Sequence, residues 1–182
     1  VKKNPAPPFI TSTLQQEAAR KLRMSVKKSM VVAQQLYEGI NIGKEHQGLI
    51  TYMRTDSVNL STQATSAIKK MVTEDYGKEY ALDKPRTYKS KKGAQEAHEA
   101  IRPVDVTLKP DDLKDYLDKD QLNLYTLIWK RAIASQMAQA IMDREKVDIL
   151  DGKHNYLFRA NGQRVKFAGF MKVYVESFDD PD

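Results

Sequence analysis

Cysteine is absent from this chain of 182 residues. There is therefore no disulfide framework and no thiolate metal site, a composition that fits a reducing compartment. Long apolar runs are missing too: no stretch approaches the roughly 18 residues of a transmembrane helix, so no membrane span is expected. The opening Val1-Lys2-Lys3-Asn4-Pro5-Ala6-Pro7-Pro8 is basic and proline-rich and lacks the apolar centre of a signal peptide, which argues against secretion. Valine rather than methionine stands at position 1, and the chain is expected to be a piece of something longer.

What is present suits a globular protein. Hydrophobic residues make up 41% of the chain, enough for the buried core of one ordinary domain or two small ones. The net charge of +6 is unevenly spread: residues 1 to 110 hold 19 Lys and Arg against 11 Asp and Glu, and residues 111 to 182 hold 11 against 13. A basic half suits a polyanion such as DNA or RNA, and equally a well-solvated surface.

Helix signals come first. Ser12-Thr13-Leu14-Gln15 reads as a capping box with Ser12 as N-cap, opening a helix to about Leu22. Ser25 caps a second helix with Val26, Met30, Ala33 and Tyr37 on one stripe, ending near Gly39. The two together resemble a helix-turn-helix, a motif also common where no DNA is bound. Residues 39 to 48, with three glycines, read as a loop. A short strand over 49 to 54 follows, and then a third helix capped by Ser61, with Ala64, Ile68 and Met71 on one face and a stop near Gly77.

Lys78 to Gly93 is predicted to be an exposed basic loop able to touch phosphates. Ala94 to Arg102 has helix-forming composition, stopped by Pro103. Pro110-Asp111-Asp112 opens a short helix, and a long one is predicted from about Asp120 to Met142, with Leu122, Tyr125, Trp129 and Ala132 facing the core. Asp118-Lys119-Asp120 imitates a D-x-D metal motif, but no apolar strand precedes it and it reads as a helix cap. From Glu145 the period becomes two, and the turn signals Asp151-Gly152 and Asn161-Gly162 predict a three-strand meander over Lys146 to Leu150, Asn155 to Ala160 and Arg164 to Phe167. The acidic end Asp179 to Asp182 is expected to fray. The fold class is α+β: a linker over 1 to 10, a helical domain over 11 to 142 and a β-rich segment over 143 to 182.

Chemistry concentrates in Leu49-Ile50-Thr51-Tyr52-Met53-Arg54-Thr55-Asp56-Ser57. On a strand, Tyr52 and Arg54 project the same way, roughly 7 Å apart. A phenol can form a covalent intermediate, and a guanidinium beside it can hold a phosphate and its charge, so the pair suggests attack on a phosphodiester. His98 is a second candidate, for a phosphate hydrogen bond or proton transfer, with Arg102 on its own helical face.

Three blocks, Pro8 to Gln16, Leu49 to Ser57 and Ala97 to Pro103, resemble bacterial type IA DNA topoisomerase I in order and spacing. The resemblance implies that Tyr52 is the nucleophile that cuts one strand and holds its 5′ phosphate, that Arg54 neutralises the scissile phosphate, and that His98 contacts DNA near the break. It implies lesser, DNA-facing or supporting roles for Thr55, Asp56, Arg102 and the Thr11 to Gln16 block. It further implies relaxation of negatively supercoiled DNA without ATP, through a single-stranded region, and a Toprim domain whose carboxylates bind Mg²⁺. No counterpart of that domain is found here, so Mg²⁺ and the Toprim partner are expected outside this chain, with residues 1 to 10 and 143 to 182 belonging to the arch of the whole enzyme. A monomer in the bacterial cytoplasm, associated with the nucleoid, is expected, and the chain alone is expected not to relax plasmid. A tyrosine recombinase or type IB enzyme would place His-x-x-Arg before its tyrosine, whereas His98-x-x-x-Arg102 follows Tyr52. The remaining rival is a noncatalytic DNA-binding helix-turn-helix module.

Overall fold

The structure is a computed structural model that describes residues 1–89, 98–152 and 156–176. Its fold is α+β, as the pattern predicts. The elements run β1 (Lys2–Lys3), α1 (Thr11–Leu22), α2 (Val26–Glu38), β2 (Ile40–Ile42), β3 (Glu45–Gln47), α3 (Thr62–Tyr76), α4 (Lys119–Ser135), β4 (Ala140–Leu150) and β5 (Leu157–Phe167), with 3₁₀ turns at Lys78–Tyr80, Pro110–Leu113 and Gly169–Lys172. No helix is long and apolar enough to cross a membrane among the described residues.

The core lies between the helices. Leu14 and Ala18 of α1, Val32, Ala33 and Leu36 of α2, Ile68 and Val72 of α3, and Leu124, Tyr125, Ile128 and Trp129 of α4 are buried together with Phe9, Ile50, Met53 and Ile101. Core aromatics keep their polar ends satisfied, with Tyr125 donating to the Leu108 carbonyl at 2.7 Å and Trp129 to that of Val106 at 3.0 Å. Ser25 and Ser61 cap α2 and α3 as expected, accepting from the Lys28 and Ala64 amides. Asp118 caps α4 by accepting from the Gln121 amide at 2.8 Å, and Gln121 accepts in return from the Asp118 amide. The D-x-D run is therefore helix chemistry.

Several expectations are corrected. Helix α1 starts at Thr11, with Ile10 at the cap and Thr13 Oγ1 accepting from the Ile10 amide at 3.0 Å, so Ser12 lies inside the helix. The loop over 39 to 48 is a hairpin: β2 pairs with β3, and Gly43 supplies the positive φ of 63° that the two-residue turn needs. Helix α4 ends at Ser135 and β4 begins at Ala140, so the change of period falls earlier than residue 143. The meander is a single long hairpin. Gly162 pairs with Glu145 in the middle of a continuous ladder, the reversal lies between Leu150 and Leu157, and the third strand of the sheet is β1, in the order β1-β4-β5.

The basic loop is partly built in. Arg86 donates to the carbonyls of Ser135 and Met137, where the end of α4 leaves acceptors free, and Gln136 exchanges two hydrogen bonds with the Arg86 backbone. Tyr88 donates to the Ser135 carbonyl. The rest of that loop at 90 to 93, the start of the predicted helix at 94 to 97, and the acidic end lie outside the described residues.

Candidate functional site

The expected strand over 49 to 54 is reduced to one bridge, Ile50 opposite Pro103. Leu49 O accepts from the Val104 amide, and the Thr51 amide donates to Arg102 O, on either side of that bridge. Pro103 has no N–H to extend the ladder. Alternation survives without it: Tyr52, Arg54 and Asp56 are exposed while Met53, Thr55 and Ser57 are buried.

Side-chain hydroxyls replace the missing ladder. Thr51 Oγ1 donates to Ala100 O at 2.7 Å and accepts from the Arg102 amide at 3.0 Å. Thr11 Oγ1 donates to Met53 O at 2.8 Å and accepts from the Thr55 amide at 2.9 Å, while the Thr11 amide donates to Thr55 O. Thr55 Oγ1 donates to Glu99 O and accepts from the Ser57 amide. The Ile101 amide donates to Phe9 O. Each of the three blocks that stand apart in sequence is thus bonded to the other two, with Tyr52 between the anchored residues Thr51 and Met53.

The expected helix around His98 is absent in the described residues. From His98 to Arg102 the backbone is non-helical, with Ile101 bridged to Phe9. Glu99 and Arg102 meet: Glu99 Oε2 accepts from Arg102 Nη2 at 2.6 Å and Nε at 3.1 Å, while Oε1 accepts from the Ser61 amide at 2.6 Å. Burial pushes the Glu99 carboxyl up, but the bonds from Ser61 and Arg102 outweigh it and hold the group below its ordinary value. Arg102 also donates to Pro103 O, so its guanidinium serves this latch. His98 is exposed, one residue before the Glu99 carbonyl that Thr55 grips, and Asp56 is exposed one residue after Thr55.

Tyr52 and Arg54 both lie along α2. The Tyr52 ring, 48% exposed, meets the ring of Tyr37. Arg54 lines a groove of about 520 Å³ with Lys27, Met30, Val31, Gln34, Gln35 and Glu38. Among the described residues Arg54 makes no hydrogen bond or ion pair, which leaves its guanidinium available to an anion.

Another charged cluster is sealed and structural. Arg131, only 2% exposed, donates to Pro7 O at 2.6 Å and to Glu176 at 2.9 Å, and lies over the rings of Phe9 and Tyr174. It ties the first block to α4, and Tyr174 donates to buried Glu17. Burial and that bond raise the Tyr174 pKa. Residue pattern alone flags neither Arg131, which follows Lys130 in α4 like a second surface cation, nor the hydroxyl relay of Thr11 and Thr51. No group of three or more His, Asp or Glu able to hold a metal ion occurs among the described residues.

Fold and site together define a scaffold that displays along α2, two positions apart in sequence, an exposed tyrosine and an arginine without a bonded partner among the described residues, on a backbone fixed by three separate sequence blocks. A family model described as DNA topoisomerase matches residues 1–182, and the chain belongs to that family. It is 58% identical over 180 residues to DNA topoisomerase 1 of Rickettsia bellii, covering 98% of this chain and 22% of that protein. It is 57% identical over 182 residues to DNA topoisomerase 1 of Rickettsia prowazekii, covering 100% of this chain and 24% of that protein. The structure of full-length topoisomerase I from Thermotoga maritima matches with a TM-score of 0.85 at 39% identity, over 100% of this chain and 29% of that one. The chain thus spans about a quarter of the length of the curated relatives it matches.

Proposed function

We propose that this chain is the tyrosine-bearing segment of a bacterial type IA DNA topoisomerase. The Tyr52 phenolic oxygen attacks a DNA phosphorus, the bond to the 3′ oxygen breaks, and the 3′ hydroxyl leaves with a proton while the 5′ phosphoryl group stays on Tyr52. Arg54 holds the non-bridging oxygens as charge gathers on them. Reversal restores the phosphodiester, and because one ester replaces another, no nucleotide is consumed. Strand passage between the two steps relaxes negatively supercoiled DNA in the whole enzyme.

His98 and Asp56 flank the site as exposed groups and are assigned to DNA near the break. Thr55 and Arg102 are assigned to its support, since their polar atoms already bond to the protein. Mg²⁺ is assigned to the carboxylates of a Toprim segment outside this chain, and no step here passes through it. The observation that carries the reading is exposed Tyr52 with Arg54, two positions on and without a bonded partner among the described residues, on a backbone that three matched blocks hold in place.

The test uses the full-length polypeptide carrying this segment, single-stranded oligonucleotide and Mg²⁺. A covalent protein–DNA adduct is expected, lost in Tyr52→Phe and strongly reduced in Arg54→Ala. An adduct that survives Tyr52→Phe removes Tyr52 from the mechanism. DNA binding with no adduct in the unsubstituted protein favours a noncatalytic helix-turn-helix module instead.

A further inference from the structure

Tyr37 lies in the last turn of α2, one residue before the helix ends, and is 40% exposed. Its ring meets that of Tyr52 with centroids 5.3 Å apart and planes at 61°. That is the edge-to-face geometry aromatic pairs favour. The Tyr52 hydroxyl has no hydrogen bond among the described residues, so the contact with the Tyr37 ring is the directional contact on the side chain. Its flanking residues fix the backbone through Thr51 and Met53, but the side-chain torsions of an exposed tyrosine otherwise turn over in picoseconds to nanoseconds.

The same helical turn also fixes how the backbone enters the site. A Cβ on residue 48 would lie 2.7 Å from the Tyr37 carbonyl oxygen, so Gly48 lets the chain pass directly against α2. One residue on, the Leu49 amide donates to Leu36 O at 2.8 Å. Backbone entry and ring orientation therefore share one support.

We infer that Tyr37 is a positioning residue that holds the Tyr52 phenol in the orientation from which it attacks a phosphodiester beside Arg54. The inference rests on the assignment of Tyr52 as nucleophile. In this role Tyr37 acts by keeping the attacking oxygen aimed, the kind of contribution that alters rate more than affinity.

The experiment uses the full-length polypeptide with Tyr37→Leu and Tyr37→Phe. Adduct formation is followed under single-turnover conditions with an oligonucleotide, and DNA affinity is measured separately. Tyr37→Leu is expected to slow adduct formation about tenfold with affinity unchanged, and Tyr37→Phe, which keeps the ring, to stay within about twofold of the parent. A parental rate in Tyr37→Leu, equal losses in both variants, or a loss confined to affinity overturns the inference.

A readout independent of activity is the NMR signal of the Tyr52 ring protons, assigned by their disappearance in Tyr52→Phe. Ring-current shifts and Overhauser contacts with Tyr37 are expected in the parent, and the shifts collapse toward free tyrosine in Tyr37→Leu. Shifts that do not change overturn the inference. If Tyr37→Leu does not fold, absence of Overhauser contacts between the two rings in the parent overturns it, and their presence together with a parental rate in Tyr37→Phe supports it. Failure of the parent to form any adduct overturns the topoisomerase reading while the NMR outcome still decides the ring contact.

Discussion

Residues 49–57, which bend at Thr51, Met53 and Arg54, and the β4–β5 hairpin are both non-helical chain, yet different bonds hold them. In the hairpin the backbone ladder runs from Ile141 opposite Phe167 to Leu150 opposite Leu157, and from Glu145 outward every β4 side chain is exposed. Ala140 and Phe167 at its base meet the rest of the fold, and beyond them side-chain bonds join hairpin residues to one another, as in the two from Arg159 to Asp148. Around Tyr52 almost no ladder exists, and Thr11, Thr51, Thr55 and Glu99 supply the bonds instead. A ladder asks little of side-chain identity, since any residue except proline carries its N–H and C=O. A segment held by hydroxyls and one carboxylate depends on those residues. The difference explains why the site reads as a motif and the hairpin reads only as a pattern.

Substitution can break this comparison most sharply at Thr11. Thr11→Val keeps the shape but removes the donor to Met53 O and the acceptor for the Thr55 amide, leaving buried backbone groups without partners. A loss of about 2 kcal/mol is expected in denaturant unfolding, with faster hydrogen exchange at the Thr55 amide. A loss below about 0.5 kcal/mol, with exchange unchanged, would mean that the hydroxyl relay does not hold the segment.

A smaller effect is expected at Glu99, and pH exposes it. Its folded pKa lies below the ordinary 4.5, so the unfolded chain takes up the proton first as pH falls. The stability it contributes is therefore complete above the ordinary carboxylate range and is lost as pH drops through the folded value. The stability gap between the parent and Glu99→Gln should be constant from pH 7 to about 6 and shrink between pH 5 and 3. A gap that does not change with pH would assign the latch to neutral hydrogen bonding alone.

Legibility of the sequence followed the range of the forces. Caps and apolar stripes are local, and Ser25, Ser61 and Asp118 start their helices as read. Tyr52 and Arg54 were legible as a pair because period-two alternation survived the loss of the ladder. The helix expected at His98 failed because Ile101 and Ala100 donate to Phe9 and Asn59, and Pro103 disfavours helical backbone at Arg102. Asn161-Gly162 failed as a turn because the strand partner Lys146–Glu145 saturates its backbone, and the reversal is closed instead by Asp151 bonding to Tyr156. Helical spacing marks Tyr37 only as a stripe residue of α2, and nothing within the helix indicates that its ring faces a residue fifteen positions on. These outcomes turn on contacts between segments distant in sequence, which composition and periodicity do not encode.

The smallest effect belongs on the hairpin, where it sharpens the contrast. Register places Val147, Ile149, Phe158 and Ala160 on one face and Lys146, Asp148, Arg159 and Asn161 on the other. Phe158, opposite Ile149, is exposed, so Phe158→Ser removes a cross-strand pair but little buried surface. Its cost in this chain should stay under about 1 kcal/mol, read from the same unfolding measurement as Thr11→Val. Phe158 is far larger than the hydroxyl lost at Thr11, so the area removed argues for the opposite ranking. If the ranking nevertheless holds, the single hydroxyl matters more because it satisfies buried backbone beside Tyr52, whereas the phenyl ring stands in water. If Phe158→Ser costs more, the apolar face of the hairpin is covered in solution, and the hairpin is no longer a segment held by its ladder alone.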